Sequence, residues 1–465
     1  MCGVFGIHAP GRDVARLAYF ALYALQHRGQ ESAGIAVSDG RRVMTVRDMG
    51  LVAQVFDEGK LQALPGRAAI GHARYSTTGS AHWMNSQPIV AHRPGRTVAL
   101  GHNGNLTNTN ELRAELMEQG VKLGSTSDTE VICALIAHHP GTLAEGAVHA
   151  MERIRGAFSA VVLSEDTLLA FRDPDGIRPL VLGDLDGYPV VASETPALDI
   201  IGATEVRELK PGELLICDTE GHRVIQAVPP RRRETMCVFE HIYFARPDAQ
   251  MDGQTLYAER ERMGERLAAE SPIAADVVIP VPDSGTPAAQ GYARASGLPF
   301  ADGLIKNRYV GRTFIEPDQA LRDHGVRLKF NPLAHVIAGQ RLVVVDDSIV
   351  RGSTTRQIVQ MLRDAGAREV HLRISAPPII SPCYYGIDMA AKDELIAAGR
   401  SLDEIRAHLG ADSLAYLSLE GLQLAIERPA DRFCRACLTG VYPVPVPEAV
   451  GAGKLRFERE PARAL

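Results

Sequence analysis

The chain has 465 residues, of which 45% are hydrophobic and 23% are charged, and its formal net charge is −6. This composition is typical of a globular protein, and the length exceeds one ordinary core, so we expect two or three domains. No apolar run approaches the ~20 residues that span a bilayer, the first residues lack a signal-peptide pattern, and the net charge gives no electrostatic basis for nucleic-acid binding. We therefore expect a cytoplasmic protein with no membrane or nucleic-acid partner.

The first 230 residues alternate short predicted strands with helices. Strands are predicted at residues 4–7, 35–37, 68–71, 98–100, 158–163 and 190–192, and helices at 14–25, 110–118 and 129–137. Short strands separated by turn residues suggest stacked sheets flanked by helices. A stretch rich in proline and arginine, residues 228–233, is predicted to be a linker.

Cys2 is the first candidate catalytic residue. Because the residue after Met1 is small, we expect Met1 to be removed, which would leave a cysteine at the N-terminus with no propeptide to cleave. Its thiol would then lie beside a free α-amine with an ordinary pKa of ~7.7–8.0. That amine can take the thiol proton directly or through a water, so one residue would carry both nucleophile and base.

Three polar clusters accompany Cys2, at residues 71–77, 101–105 and 127–130. For a glutamine substrate, Arg74 suits the α-carboxylate, Asp128 suits the α-ammonium, and the Asn103 side chain with the Gly104 backbone N–H suits an oxyanion. Each also has a structural interpretation. Arg74 could form a surface ion pair, Asn103 and Gly104 a hairpin turn, and Asp128 a helix N-cap.

Four segments of this half resemble the N-terminal-nucleophile glutamine amidotransferases. They are residues 2–6 (Cys-Gly-Val-Phe-Gly), 27–30 (His-Arg-Gly-Gln), 74–77 (Arg-Tyr-Ser-Thr) and 101–105 (Gly-His-Asn-Gly-Asn). The resemblance implies a four-layer αββα domain, catalysis by Cys2 and release of ammonia from glutamine.

After the linker, continuous apolar strands are predicted at residues 277–281, 342–345 and 370–375, and the first two lead through turns into helices. This βαβ pattern indicates a parallel sheet, which binds ligands beyond the carboxyl ends of its strands. One such strand ends at Asp346 and Asp347, and a loop rich in hydroxyls runs into the next helix. The helix N-terminus suits a phosphate, and the two acids suit ribose hydroxyls and Mg²⁺. The alternative is an acidic turn that only caps the helix.

Residues 343–355 (Val-Val-Val-Asp-Asp-Ser-Ile-Val-Arg-Gly-Ser-Thr-Thr) resemble the phosphoribosyl-pyrophosphate signature of type I phosphoribosyltransferases. Residues 282–285 resemble that family's pyrophosphate loop, and residues 306–315 its flexible closing loop, with Gln319, Arg322 and Lys329 continuing the pattern. The signature usually contains Gly-Thr-Thr, whereas this chain has Gly-Ser-Thr-Thr, which keeps the hydroxyls. The resemblance implies Mg²⁺ ligation by Ser284, Asp346 and Asp347. It assigns phosphoribosyl pyrophosphate to Asp283, Ser284, Gly285, Lys306, Arg308, Tyr309, Arg312, Asp346, Asp347, Ser348, Arg351, Gly352, Ser353, Thr354 and Thr355.

Four of the seven cysteines form a candidate metal site. Cys434 and Cys437 are a CxxC pair, and Cys237 and Cys383 are the upstream candidates. In a cytoplasmic protein such cysteines are more often reduced or metal-bound than disulfide-bonded, and their spacing fits either Zn²⁺ or an iron–sulfur cluster. Cys133 and Cys217 lie in apolar contexts and are predicted to be buried packing residues.

Together the halves resemble the glutamine phosphoribosylpyrophosphate amidotransferase family, from Cys2 to about Tyr442. The contexts of the four cysteines match its iron–sulfur branch, which implies a structural [4Fe–4S] cluster. The family also implies conversion of glutamine and phosphoribosyl pyrophosphate to 5-phosphoribosylamine, feedback inhibition by purine nucleotides, and a homotetramer. We predict a glutaminase domain at 2–230, a phosphoribosyltransferase domain at 231–445 and a partly disordered tail at 446–465. The alternatives are another amidotransferase with the same first half, or a non-catalytic sensor of phosphoribosyl pyrophosphate.

Overall fold

The computed structural model describes residues 1–76, 79–93, 95–231, 234–307, 327–389 and 392–447. Thirteen strands are described in the first half. They are Gly3–His8 (β1), Ser32–Ser38 (β2), Val43–Met49 (β3), Ala68–Arg74 (β4), Ile89–Arg93 (β5), Arg96–Leu106 (β6), Gly156–Leu163 (β7), Leu168–Arg172 (β8), Val181–Leu185 (β9), Tyr188–Ala192 (β10), Thr204–Glu208 (β11), Glu213–Asp218 (β12) and Gly221–Gln226 (β13). Its α-helices are Val14–Ala24 (α1), Val52–Val55 (α2), Glu58–Gln62 (α3), Thr109–Glu118 (α4), Asp128–His138 (α5), Leu143–Arg153 (α6) and Thr195–Asp199 (α7).

Two antiparallel sheets stack face to face in this half. One has the order β11-β9-β10-β1-β4-β2-β3 and the other β13-β12-β8-β7-β6-β5. The alternation of side chains along β1 shows the layering: Val4 enters the core between the sheets, whereas Phe5 and Ile7 pack against Leu22 of α1. On the far side, Val162 of β7 packs against α5. The predicted four-layer αββα arrangement is confirmed.

The second half is built around a parallel sheet of order β17-β20-β21-β22. Its described strands are Met236–Cys237 (β14), Gln250–Met251 (β15), Gln254–Thr255 (β16), Val277–Pro280 (β17), Leu304–Lys306 (β18), Phe330–Pro332 (β19), Arg341–Asp346 (β20), Glu369–Ile374 (β21), Ser413–Tyr416 (β22) and Phe433–Cys434 (β23). Its α-helices are Leu256–Glu270 (α8), Thr286–Ser296 (α9), Ala334–Ile337 (α10), Ser353–Asp364 (α11), Leu402–Leu409 (α12), Leu419–Ile426 (α13) and Ala436–Thr439 (α14). The predicted parallel sheet is confirmed, and α9 and α11 follow β17 and β20 as expected.

The two halves share a buried boundary. Met1, Ala157 and Ile177 from the first half lie in the same apolar cluster as Phe239 and Tyr385 from the second. A π-helical turn, Glu240–Phe244, lies at this boundary just after β14. The predicted domain limits stay a prediction, although β13 ends at Gln226, just before the expected linker. No helix among the described residues has the length and apolarity to cross a membrane.

Candidate functional site

Cys2 lies at the start of β1, buried in the first half. Its Sγ is 3.4 Å from the backbone nitrogen of Tyr75, which follows β4, and 3.4 Å from the carbonyl oxygen of the same residue. Its backbone N–H donates to Asn103 Oδ1 at 3.0 Å. Met1 is still attached to Cys2 in this structure and is 1% exposed. The Cys2 nitrogen is therefore a peptide nitrogen, which cannot act as a base. The predicted chemistry therefore requires removal of Met1.

Asn103 and Gly104 lie inside β6 rather than in a hairpin turn, so that alternative is wrong. Asn103 is fully buried, and its Nδ2 has no hydrogen-bond partner among the residues that the structure describes. Gly104 has φ +150°, and a Cβ there would lie 2.0 Å from the carbonyl oxygen of Ala157 on β7. A buried amide donor beside the thiol is what an oxyanion requires.

Arg74 and Asp128 are both buried near this site. Arg74 ends β4 and pairs with Glu31, with Nη1 3.4 Å from Oε2, so it is not at the surface. The N-cap of α5 is Ser127, and Asp128 is instead the first helical residue, whose carboxylate accepts the Leu106 N–H at 3.0 Å. The two alternatives proposed for these residues are therefore wrong. Their roles toward glutamine stay predictions, and Thr77 of the same motif lies outside the described residues.

Two buried histidines, His72 of β4 and His102 of β6, lie on the strands that carry Arg74 and Asn103. His72 Nε2 lies 3.0 Å from the carbonyl oxygen of His102, and His102 Nδ1 lies 3.3 Å from Thr129 Oγ1. Burial lowers the pKa of His72 to about 3 and also lowers the pKa of His102. Both rings are therefore neutral in the folded protein at pH 7.

We expect these histidines to make the protein sensitive to acid. A depressed histidine pKa stabilises the folded state fully above the unfolded value near 6.5, and this contribution is lost as the pH falls towards 3. In His72→Gln, the unfolding free energy should fall less steeply between pH 6 and pH 4, by up to about 1.4 kcal/mol per pH unit. Denaturant titrations across this range measure the slope. His92→Gln, at an exposed site, should keep the wild-type slope; equal slopes in all three proteins would contradict the assignment.

A buried ion-pair network joins the Cys2 site to the second half. Arg28 Nε donates to the Cys2 carbonyl at 2.9 Å, and its Nη2 donates to Glu240 Oε1 at 2.8 Å. Glu194 pairs with Arg28 and also with His27, whose Nε2 is 2.8 Å from Oε1. Burial would raise the pKa of Glu194, but His27 and Arg28 lower it below its ordinary value. Arg28 thus connects the backbone of Cys2 to Glu240 in the second half.

Asp346 and Asp347 lie at the carboxyl end of β20 and are 9% and 5% exposed. Burial, and then repulsion by Asp347, raise the pKa of Asp346 well above its ordinary value, and burial also raises the pKa of Asp347. The Ser348 hydroxyl donates to Asp347 Oδ2 at 2.6 Å, and Ser284 also bonds to this carboxylate. Lys329 and Arg260 lower the pKa values of Asp346 and Asp347, respectively, but less than burial raises them. Two buried acids with hydroxyls at the edge of a parallel sheet fit a hard divalent cation, which would add positive charge here.

The other predicted phosphoribosyl-pyrophosphate residues gather at the same edge. Asp283 and Gly285 follow β17, and Lys306 Nζ lies 2.5 Å from Asp283 Oδ2. Arg351 pairs with Glu394, and Gly352, with φ +81°, caps α11. That helix begins with Ser353, Thr354 and Thr355. The closing-loop residues Arg308, Tyr309 and Arg312, with Ile315, Gln319 and Arg322, lie outside the described part of the chain.

The structure gathers the four candidate cluster cysteines. Cys237 and Cys434 are direct partners in the parallel pair β14–β23. Cys437 lies in α14, and its carbonyl accepts N–H groups from Ile380 and Ser381, just before Cys383. All four are free thiols, and Cys383 alone among them is not fully buried. Cys133 and Cys217 are fully buried, as predicted.

Arg178 is a buried cation that lies beside the four cysteines. It was not identified as a site residue from the sequence. It is fully buried, and its Nε and Nη2 have no hydrogen-bond partner within the described ranges. It pairs with Glu240, with Nη1 3.7 Å from Oε1, and it lies close enough to Cys237 and Cys383 to stabilise their thiolate forms. A negatively charged metal–thiolate group would therefore meet a counter-charge here.

Glu31, Glu194 and Glu240 were also missed, because an isolated acidic residue has no local signature. Arg28 lies in the His-Arg-Gly-Gln motif, which could have suggested a buried acidic partner, although not which one.

Comparison with known proteins covers both halves. The model of the glutamine amidotransferase domain family matches residues 72–199, and that of the phosphoribosyl transferase domain family matches residues 252–377. An amidophosphoribosyltransferase of Mycobacterium tuberculosis is 51% identical over 100% of this chain and 90% of its own length. One from Synechococcus elongatus is 53% identical over 98% of this chain and 94% of its own.

Two solved structures share the whole fold. The structure of an allosteric regulatory enzyme of purine biosynthesis has a TM-score of 0.92 and 45% identity, covering 98% of this chain and 99% of that one. The glutamine phosphoribosylpyrophosphate amidotransferase of B. subtilis, complexed with ADP and GMP, has a TM-score of 0.90 and 45% identity over 96% of this chain and 98% of that one. With half of all residues identical along the full length, the chain belongs to the amidophosphoribosyltransferase family.

Proposed function

We propose that this protein transfers the amide nitrogen of glutamine to phosphoribosyl pyrophosphate in the first step of purine biosynthesis. Glutamine, phosphoribosyl pyrophosphate and water would give 5-phosphoribosylamine, glutamate and pyrophosphate. One observation carries the proposal: a single chain holds Cys2 beside a buried amide donor and, in its other half, a buried acidic pair at a parallel-sheet edge. Neither a glutaminase alone nor a sensor needs both.

In the first half, the Cys2 thiol gives its proton to the α-amine freed by removal of Met1, and the thiolate attacks the amide carbon of glutamine. Asn103 Nδ2 and the Gly104 N–H donate to the oxyanion that forms. The intermediate collapses to a thioester as the α-ammonium protonates the leaving nitrogen, and water then releases glutamate. Arg74 and Asp128 would hold the α-carboxylate and α-ammonium of the substrate.

In the second half, ammonia attacks C1 of the ribose and pyrophosphate leaves. Asp346, Asp347 and Ser284 would hold Mg²⁺, which when bound neutralises the charge on pyrophosphate. The N-terminus of α11, from Arg351 to Thr355, suits the 5-phosphate because its N–H groups and hydroxyls point at an anion. Tyr309 and Ile315 are proposed to wall the ammonia path when the loop closes.

An isotope experiment tests the coupling of the two reactions. Glutamine labelled with ¹⁵N in its amide group is supplied with excess unlabelled ammonium, and 5-phosphoribosylamine is trapped before it hydrolyses. Transfer within the protein predicts a product that carries mainly ¹⁵N. A product with the isotope ratio of the bulk ammonium would contradict coupled transfer.

We propose a structural [4Fe–4S] cluster on Cys237, Cys383, Cys434 and Cys437. A single Zn²⁺, with Zn–S near 2.3 Å, would hold its four sulfurs about 4 Å apart. Within the described part of the chain, no three of these thiols lie within 4.8 Å of one another, which favours a larger group with one thiolate at each corner. Cluster binding would tie β14, β23, α14 and the segment around Cys383 together.

Metal analysis distinguishes these options. Protein purified without oxygen should contain about four iron and four sulfide per chain. Cys437→Ser should lose the cluster absorbance, whereas Cys133→Ser, at a buried cysteine outside the group, should keep it. Stoichiometric zinc without iron would contradict the proposal.

The proposal extends to inhibition by purine nucleotides and to the oligomeric state of the protein. The B. subtilis relative was solved with ADP and GMP, and we propose that purine nucleotides likewise inhibit this protein and that it forms a homotetramer. Sedimentation with and without these nucleotides, alongside an activity assay, tests both parts. A monomer that the nucleotides do not inhibit would contradict them.

A further inference from the structure

Residues 380–389, here called the 380–389 loop, connect the cysteine cluster to the glutaminase site. At the base of the loop, the Ile380 N–H donates to the carbonyl of Cys437 at 2.9 Å. The Cys383 N–H donates to the carbonyl of Met389 at 2.8 Å, which closes the loop on itself. The loop is therefore anchored in the phosphoribosyltransferase half.

The tip of the loop contacts the glutaminase half beside the reacting thiol. An ideal Cβ on Gly386 would lie 3.1 Å from both Cα and C of Gly104. Asn105 Nδ2 donates to the carbonyl of Tyr384 at 2.8 Å. The Tyr75 hydroxyl lies 3.5 Å from Asp388 Oδ2. The loop thus touches the three glutaminase residues Gly104, Asn105 and Tyr75.

Gly104 is enclosed between the two halves. On one side it approaches the Ala157 carbonyl so closely that a Cβ would lie 2.0 Å from that oxygen. On the other side lies Gly386, whose φ of +113° and lack of a side chain allow its backbone to reach Gly104. The position of the Gly104 peptide therefore depends on both halves.

We propose that Gly386 is a positioning residue for glutamine cleavage, because the 380–389 loop packs against Cα and C of Gly104 and so fixes where the N–H of that residue meets the oxyanion. This rests on the proposed two-site function and adds a dependence to it: the phosphoribosyltransferase half completes the oxyanion site of the glutaminase half. Ammonia-dependent synthesis bypasses that site and does not need the contact.

The test compares Gly386→Ala with Gly297→Ala. Gly297 follows α9 with φ +74°, and a Cβ there meets nothing within 4 Å, so this control adds a side chain at a positive φ without a new contact. Loss of one oxyanion donor lowers kcat by about 10²–10³-fold, so displacement of Gly104 should lower glutamine-dependent kcat at least about tenfold. The KM for glutamine and the ammonia-dependent kcat should stay within about twofold. Alkylation of Cys2 by iodoacetamide, which forms no oxyanion, should keep its wild-type rate.

The ratio of glutamine-dependent to ammonia-dependent activity is independent of the folded fraction, so partial unfolding cannot imitate the effect. If Gly386→Ala does not fold, Asn105→Ala removes the bond to Tyr384 instead and should lower the same ratio at least about threefold. An unchanged ratio in a folded variant, or an equal fall of both activities, would overturn the inference. Wild-type protein inactive with either nitrogen source would instead refute the proposed function, and the inference with it.

Discussion

Replacing Cys2 by alanine should abolish glutamine-dependent pyrophosphate release, by at least about 10³-fold, and leave ammonia-dependent release within about twofold of wild type. The thiol is the only group that forms the thioester in the proposed mechanism, whereas free ammonia enters at the second site. Pyrophosphate release with each nitrogen source, at saturating phosphoribosyl pyrophosphate and Mg²⁺, measures both activities.

The matched control is Cys217→Ala, which removes a fully buried cysteine of β12, a strand that carries no proposed site residue, and should keep both activities. Loss of the ammonia-dependent reaction in folded Cys2→Ala protein would contradict the division into two sites. So would retention of glutamine-dependent release, because another residue would then have to cleave the amide.

The double change Asp346→Asn and Asp347→Asn should lower pyrophosphate release at least about 10³-fold with both nitrogen sources, because it removes the proposed ligands of the ribose and Mg²⁺. The same loss with glutamine and with ammonia is the distinguishing result, since it places the defect after ammonia release. Initial rates of pyrophosphate release at several Mg²⁺ concentrations, with each nitrogen source, measure this loss of activity.

Asp403→Asn, at a surface position of α12, is the matched control and should retain wild-type rates. Because Asp346 and Asp347 are buried with raised pKa values, removing their charge should not unfold the protein, and its thermal midpoint checks this. Survival of the ammonia reaction in the double variant would contradict the assignment.

Local patterns predicted the architecture because each half carries its own periodicity. The short strands separated by turns predicted the stacked sheets. The apolar runs before residues 281, 346 and 375 predicted the parallel sheet. The bounds of β6 were underestimated, since the sequence Gly-His-Asn-Gly-Asn looks like a turn, yet pairing with β7 extends the strand to Leu106. Here contacts between strands override local turn preference.

The candidate sites were predicted where a motif is continuous in sequence, as around Asp346 or Asn103. The connections between the halves were not predicted. Arg28 and Glu240 are 212 residues apart, and Gly386 reaches Gly104 from the other half. Such pairs depend on how two folded units pack, which composition and spacing do not encode. The four cysteines are an exception, because the metal site predicted from their spacing would require them to meet, and the structure gathers them.

Pyrophosphate release by protein purified without oxygen tests the central claim most directly. Phosphoribosyl pyrophosphate and Mg²⁺ are supplied with either glutamine or ammonia as the nitrogen source. The two-site account predicts release with both, and glutamate formation equal to pyrophosphate formation when glutamine is used. Release with neither nitrogen source, from folded protein that lacks Met1 and was assayed with Mg²⁺, would contradict it.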